Sequence, residues 1–305
     1  MAFLRLLGQL RNPVLDAFFS AVTYFGDAIC FMLIAIVFLW CVNKKDAYYV
    51  LLTCFFGTIC CQFLKLAFRI PRPWVLDPDF MIVESARAAA TGYSFPSGHT
   101  LNSVATALCL LLTQKKKGIR IAAVALMVLV PFSRMYLGVH TPADVLVAFA
   151  LAAASAFLMR FALARAEKHR HGMAILLGSL LVISAAYLLY VTYYPFPADI
   201  DPENLAEGVK NAYVLLGCLL GMLAAIAFER RFVNYSERAV WWAQLLKVVL
   251  GVVVVLAVRM LLKAPLRAVL PDGIADLLRY GLMVFAAGAL YPLSFRTFGR
   301  LGQKS

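Results

Sequence analysis

The chain has 305 residues, of which 63% are hydrophobic and 15% charged, with a mean hydropathy of +0.82 and a formal net charge of +13. A soluble domain of this size needs far more polar surface, so the composition excludes one and points to a polytopic membrane protein. The positive charge falls in short loops between apolar runs, with no basic patch interleaved with aromatics. That distribution fits topology and contact with anionic lipids, and it argues against nucleic acid.

At the N-terminus Phe3, Leu6, Leu7, Leu10, Val14 and Phe18 repeat at helical spacing, with Arg5, Gln9, Asn12 and Asp16 between them. This predicts an amphipathic helix in the membrane interface, the alternative being an early extension of the first span. Residues 1–12 lack the short apolar core and small-residue cleavage site of a secretory signal. Apolar runs then predict about nine spans, near 18–42, 47–68, 98–114, 119–137, 141–163, 173–194, 211–228, 241–262 and 277–295. The expected fold is therefore all-α: a polytopic membrane helical bundle of about nine transmembrane helices plus an N-terminal interfacial amphipathic helix. The loop from Pro195-Phe196-Pro197 to Gly208 divides it into residues 1–196, holding six spans, and residues 197–305, holding three.

The loops alternate in charge. Lys44-Lys45, then Lys115-Lys116-Lys117 with Arg120, then Arg160, Arg165, Lys168 and Arg170, then Arg230, Arg231 and Arg238, and finally Arg296, Arg300 and Lys304 form one set. Residues 69–97, 133–140, 195–209 and 263–276 form the other, whose third member carries Asp199-Ile200-Asp201-Pro202-Glu203. The positive-inside rule makes the first set cytoplasmic, where it would meet anionic lipids. The N-terminus is then expected outside and the C-terminus inside.

Three polar blocks fall in the other set. The last is Ser133-Arg134, five residues, His140, three residues, Asp144. Thr141-Pro142 is a helix-start signal, and His140 and Asp144, four apart, share a helical face. A carboxylate accepting from one imidazole nitrogen leaves the other as a nucleophile and stabilises the imidazolium formed on attack. The middle block is Pro96-Ser97-Gly98-His99, at the start of a span. A helix N-terminus suits a phosphate, Gly98 permits close backbone approach, Ser97 offers a hydroxyl, and His99 is placed to act as general acid. The first block is Lys65, six residues, Arg72-Pro73. Lys65, Arg72 and Arg134 supply cations for phosphoryl oxygens. Arg69, at the i+4 position from Lys65, could join them or meet a lipid headgroup.

Other polar residues have plainer readings. Asp77, Asp79 and Glu84 sit in a loop with no ligand spacing, and the seven cysteines lie in apolar runs, so no metal and no cofactor are expected. His169 and His171 belong to a basic loop. Asp27, beside Gly26, reads as a cap or loop residue. Gly217 to Gly221 is a small-xxx-small pattern for close helix packing, within the chain or in a homodimer. Arg259 and Lys263 end the eighth span, where they either snorkel or meet a second phosphate or headgroup.

The three blocks together resemble the type 2 phosphatidic acid phosphatase family, whose pattern K-x6-RP, PSGH and SR-x5-H-x3-D is matched at every specified position. The resemblance covers about residues 13–194. It implies a metal-independent helical membrane phosphatase in which His140 forms a phosphohistidine and His99 protonates the departing lipid alcohol. In that reading Lys65, Arg72, Ser97, Gly98 and Arg134 hold the phosphoryl oxygens. Two features depart from the common pattern: the first block follows the second span instead of the third, and residues 211–305 add three spans. The implied substrate is a lipid phosphomonoester or pyrophosphate, such as undecaprenyl pyrophosphate, phosphatidylglycerol phosphate, phosphatidic acid or lipid A phosphate, cleaved on the extracytoplasmic side of the cell (inner) membrane. The alternatives are a lipid phosphotransferase to an acceptor other than water, a lipid transporter or scramblase that uses the site for recognition, and a vanadium-dependent haloperoxidase, whose known forms are soluble.

Overall fold

The computed structural model describes residues 1–301, and Lys304 lies outside them. Every regular element among the described residues is helical: α1 (Ala2–Gly8), α2 (Pro13–Thr23), α3 (Ala28–Val37), α4 (Lys44–Phe68), α5 (Pro73–Leu76), α6 (Gly98–Thr113), α7 (Lys117–Tyr136), α8 (Pro142–Ala166), α9 (Gly172–Tyr193), α10 (Pro202–Phe228), α11 (Trp241–Leu261), α12 (Lys263–Val269), α13 (Asp272–Phe285) and α14 (Phe295–Arg300). Seven stretches are long and apolar enough to cross a membrane: Lys44–Leu76, Lys117–Tyr136, Pro142–Ala166, Gly172–Tyr193, Pro202–Val233, Trp241–Val269 and Asp272–Arg300. The pair Pro13–Gly26 and Ala28–Val42, bent by 56°, would make an eighth if it is one span, and α6 is a shorter apolar helix. The helical membrane architecture is as predicted, and the count of nine spans is not confirmed by length and composition, which qualify seven helices, or eight with the bent pair.

The N-terminal region departs from a single amphipathic helix. Asn12 Oδ1 accepts from the backbone N–H groups of Val14 (3.2 Å) and Leu15 (3.0 Å), and Pro13 takes the first helical position. This cap, worth about 1 kcal/mol, starts a second helix where periodicity alone suggests continuity. Leu4 and Leu7 are buried, whereas Phe3, Leu6, Leu10 and Val14 stay exposed. The next break falls at Gly26-Asp27. A Cβ on Gly26 would stand 2.6 Å from Val130 Cγ1 and 2.9 Å from His99 Cβ, so only glycine passes this close. Asp27 Oδ1 accepts from Ile29 N–H (2.9 Å) and caps α3. Helix α10 starts well before the predicted 211, because Asp201 caps it (Asn204 N–H to Oδ1, 2.9 Å) with Pro202 next. Part of the acidic loop is thus the first turn of a helix.

The helices gather in two compact units. The first comprises Met1–Leu33, Tyr49–Arg165 and Pro195–Gly208, and the second comprises Ile34–Tyr48, Ala166–Tyr194 and Val209 onward. These stretches interleave, whereas the sequence division at 196/197 is linear. In the first unit α2 lies on α7, with the Phe19 ring centroid 4.4 Å from Tyr136 and 5.3 Å from Phe132. In the second, α10 and α13 cross at backbone contact. A Cβ on Gly217 would stand 2.1 Å from the Leu277 carbonyl oxygen, and one on Gly221 2.1 Å from that of Gly281. The small-xxx-small pattern therefore serves packing within the chain. Lys44 pairs with Glu229 (2.8 Å) and Lys45 with Glu167 (2.9 Å), so both cations read as lipid contacts have protein partners.

Candidate active site

Helix α7 carries Ser133 and Arg134 in its last turn, and the chain then doubles back through Gly138. Its φ of +81° requires glycine, and a Cβ there would also stand 2.7 Å from Arg11 Nη2 and 3.0 Å from Phe80 Cε1. The N–H groups of Val139 (3.1 Å) and His140 (3.3 Å) donate to the Arg134 carbonyl. Ser133 Oγ donates to the Val130 carbonyl (2.7 Å), a bond within the helix. The interval between Arg134 and His140 is thus the length of one helix-closing turn.

Helix α8 opens with a reciprocal cap. Thr141 Oγ1 accepts from Asp144 N–H (3.2 Å), and Asp144 Oδ2 accepts from Thr141 N–H (2.8 Å). The same Oδ2 accepts from Ser94 Oγ (2.6 Å) and lies 3.3 Å from His140 Nδ1. His140 and Asp144 are both 1% exposed. At the other edge of the ring, Nε2 lies 2.9 Å from Arg72 Nη1. A guanidinium can only donate, so Nε2 accepts there and the ring proton is assigned to Nδ1, facing Asp144. Burial, and then the charges of Arg72, Arg134, Lys65 and His99, hold the His140 pKa well below the usual 6.5. The imidazole is neutral at pH 7, with its lone pair on Nε2.

Lys65 and Arg72 do not share a helical face. Helix α4 stops at Phe68, Arg69 takes a left-handed φ of 50°, and Arg72 is extended (ψ 154°) between two prolines. Arg69 stays half-buried at this corner. The Arg72 guanidinium donates to the carbonyls of Gly92 (Nε, 3.0 Å), Thr91 (Nη2, 2.6 Å) and Val139 (Nη1, 3.0 Å). Lys65 Nζ donates to the Tyr93 carbonyl. Both cations are buried, and residues 91–93 form a strap of acceptors across them.

Ser97 caps α6, its Oγ accepting from Thr100 N–H (3.4 Å), while its own N–H donates to the Asp144 carbonyl (3.2 Å). The starts of α6 and α8 are thereby tied together. Gly98 and His99 hold the first two helical positions, whose N–H groups have no acceptor within the helix. No atom lies within 4 Å of where a Cβ on Gly98 would stand, so the chain itself does not crowd this position. Arg134 is fully buried, and its Nη1 donates to Thr23 Oγ1 (2.8 Å). Its Nε and Nη2 have no partner among the described residues. Among those residues no three His, Cys, Asp or Glu side chains group as metal ligands. Asp77 and Glu84, read as solvated, pair with Arg5 (2.6 Å) and Arg87 (2.7 Å).

The model of the PAP2 superfamily matches residues 46–168, and that of a PAP2 superfamily phosphatase transmembrane extension matches residues 213–304. Phosphatidylglycerophosphatase B of Bacillus subtilis is 30% identical over 167 residues, covering 50% of this chain and 76% of that protein. The chain belongs to the PAP2 superfamily. An undecaprenyl-diphosphatase of Bacillus subtilis is 28% identical over 150 residues, 48% of this chain and 75% of its own. A dihydrosphingosine 1-phosphate phosphatase of Schizosaccharomyces pombe is 27% identical over 276 residues, 86% of this chain and 65% of its own. No solved structure matches the chain. These relatives make this PAP2 protein an integral membrane lipid phosphatase.

In this PAP2 chain, hydrogen bonds link Arg72, His140 and Asp144 directly and join Ser97 to Asp144 through the backbone. The charges of Lys65, Arg134 and His99 all act on His140. Three further contributors escaped the sequence reading: Ser94 on Asp144, Thr23 on Arg134, and the strap carbonyls of 91–93. Ser94 stands two residues before the PSGH block, which is its only signal. Thr23 lies 111 positions from Arg134 in sequence, and nothing local marks it.

Proposed function

We propose that this PAP2 phosphatase cleaves a lipid phosphomonoester or pyrophosphate through a phosphohistidine on His140. Arg134 carries the reading: a fully buried guanidinium with two nitrogens lacking partners beside a neutral histidine. An unsatisfied buried donor costs about 1–3 kcal/mol, more when charged, and a phosphoryl oxygen would relieve it. The substrate phosphoryl group displaces Arg72 Nη1 from Nε2, so Arg72 moves from the nucleophile onto a phosphoryl oxygen. Lys65, Ser97 Oγ and the N–H groups of Gly98 and His99 complete the oxyanion contacts.

In the first step Nε2 forms a bond to phosphorus and the ester P–O bond breaks. His99 gives its proton to the leaving oxygen, while Asp144 stabilises the charged imidazole through Nδ1–H. In the second step a water attacks phosphorus, His99 takes its proton back, and the P–N bond breaks to release phosphate. No step assigned to these residues requires a metal. Candidate substrates are those in the relatives' names, undecaprenyl diphosphate, phosphatidylglycerophosphate and a sphingoid base phosphate. The loop charges favour an extracytoplasmic site with the N-terminus outside and the C-terminus inside.

Rapid mixing of purified protein with lipid bearing a labelled phosphoryl group, quenched in alkali, tests the mechanism. Alkali-stable, acid-labile label on the protein is expected, mapping to His140. Full phosphate release with no labelled protein at any time would overturn the nucleophile assignment. Turnover rates across those three lipids then rank the substrates.

A further inference from the structure

Within the second unit, α10, α11, α12 and α13 border a cavity of about 370 Å³ lined by Lys210, Arg259, Lys263, Arg267, Arg279 and Tyr280. Five cations therefore face one space. Asp276 pairs with Arg279 (2.7 Å) and approaches Arg267 (3.6 Å), and Asp272 approaches Arg267 (3.5 Å). Neither Arg259 nor Lys263 has an ion pair with any described residue. Arg259 and Arg279 lie over the Tyr280 ring, their guanidinium carbons 5.7 and 4.8 Å from its centroid.

Simple snorkelling does not account for this arrangement. A snorkelling side chain leads its charge out to water. Arg279 instead is only 7% exposed, and its Nε has no partner among the described residues. Asp276 on the preceding turn and Tyr280 beneath the guanidinium keep it facing the cavity. Met260 lines the cavity beside the cations and is 74% exposed, and the same helices carry exposed Leu261 (73%) and Val269 (76%). An occupant thus meets a fork of cations and then an oily rim. Among the described residues no histidine, serine or cysteine lines the cavity, and its cations suit binding an anion rather than turning one over.

We propose that this cavity is a second phosphate-binding site, separate from the catalytic cluster, and that it holds the phosphate of an anionic phospholipid at the membrane interface. Guanidinium forks suit phosphate oxygens, and basic pockets between transmembrane helices bind acidic headgroups. The proposal does not depend on the phosphohistidine mechanism.

The test uses the full chain in phosphatidylcholine nanodiscs doped with a photoactivatable, non-hydrolysable phosphonate analogue of phosphatidic acid. Cross-links are mapped by peptide mass spectrometry. Labelling of residues 259–280 is expected, falling roughly tenfold or more in Arg259→Gln/Lys263→Gln. Phosphatase activity of that variant, expected unchanged, reports that it is folded. The single exposed variant Lys263→Gln gives a second reading should the double variant fail to fold. Loss of the label to excess inorganic phosphate would keep the site but assign it to the free ion. Persistence of the label assigns it to the lipid headgroup. Equal labelling by a phosphatidylcholine analogue, or undiminished labelling of both variants, would overturn the site.

Discussion

Around His140 the chain itself positions the cations. Arg72 gives its hydrogen bonds to three carbonyls and one imidazole nitrogen, and Lys65 gives one to Tyr93. Around Tyr280 the cations are less constrained, since Arg259 and Lys263 have no ion pair among the described residues and Arg267 is 39% exposed at its side chain. Both clusters place cations among apolar helices, but only the first sets a buried imidazole against an oriented carboxylate. Catalysis requires donors fixed before charge develops, because reorganisation during the step adds to the barrier. A headgroup site tolerates looser donors, since the ligand can settle among them. Tightness of hydrogen bonding, rather than number of charges, separates the two regions.

The sharpest break between them is His140→Ala. Turnover of any lipid phosphate should fall by roughly 10⁴-fold or more, as in other enzymes that lose a covalent nucleophile. Arg259→Gln, by contrast, should leave kcat within about twofold, the range of a surface substitution. Steady-state phosphate release measures both. Comparable losses in the two variants would erase the distinction.

His99→Ala comes next. Loss of a general acid costs about 10²–10⁴ on an alkyl phosphate ester, whose leaving group needs the proton. An aryl phosphate with an acidic leaving group should recover most of that loss. An equal deficit on both substrates would show that His99 does not donate. Arg134→Lys keeps the charge but removes the fork, and a loss of about 10²–10³ in kcat is expected. A change confined to KM would move Arg134 from transition-state contact to simple binding.

The residues of these three predictions were legible because their chemistry fixes their type and spacing. The step from Arg134 to His140 is a helix end closed by Gly138, and the step from His140 to Asp144 is a helix start with its cap, so both intervals are local geometry. Arg72 is placed less locally: Pro71 and Pro73, visible in the sequence, end any helix there, while the left-handed turn at Arg69 is not legible from residue type. Thr23 and Ser94 were not legible, because small hydroxyl residues such as Ser184 and Thr53 are buried elsewhere in the same chain without a comparable task. The basic cavity was half legible. Arg259 and Lys263 stood out at the end of an apolar run, but Arg267 and Arg279 join them only through the packing of α11, α12 and α13.

Ser94 makes the smallest of these predictions and the most discriminating about how the catalytic cluster is tuned. Its hydroxyl donates to the same Asp144 oxygen that faces His140 Nδ1 (2.6 and 3.3 Å). Ser94→Ala removes one charge-assisted hydrogen bond, worth about 1.5 kcal/mol, so kcat should fall by about tenfold. The pH profile carries the finer information. The proposed attack needs a neutral His140, whose pKa is held well below 6.5 by burial and then by the neighbouring Arg72, Arg134 and Lys65. Activity should therefore persist as pH falls through 6.5 and fail only below it, giving an acid limb in kcat/KM lower than that of an ordinary histidine. With Ser94 gone, the Asp144 oxygen keeps fewer donors and turns more of its charge on Nδ1–H, which favours the imidazolium. The His140 pKa then rises, and the acid limb should move toward higher pH. A purely structural role for Ser94 would lower the rate without moving the limb. An unshifted limb would therefore count against a link from Ser94 through Asp144 to His140.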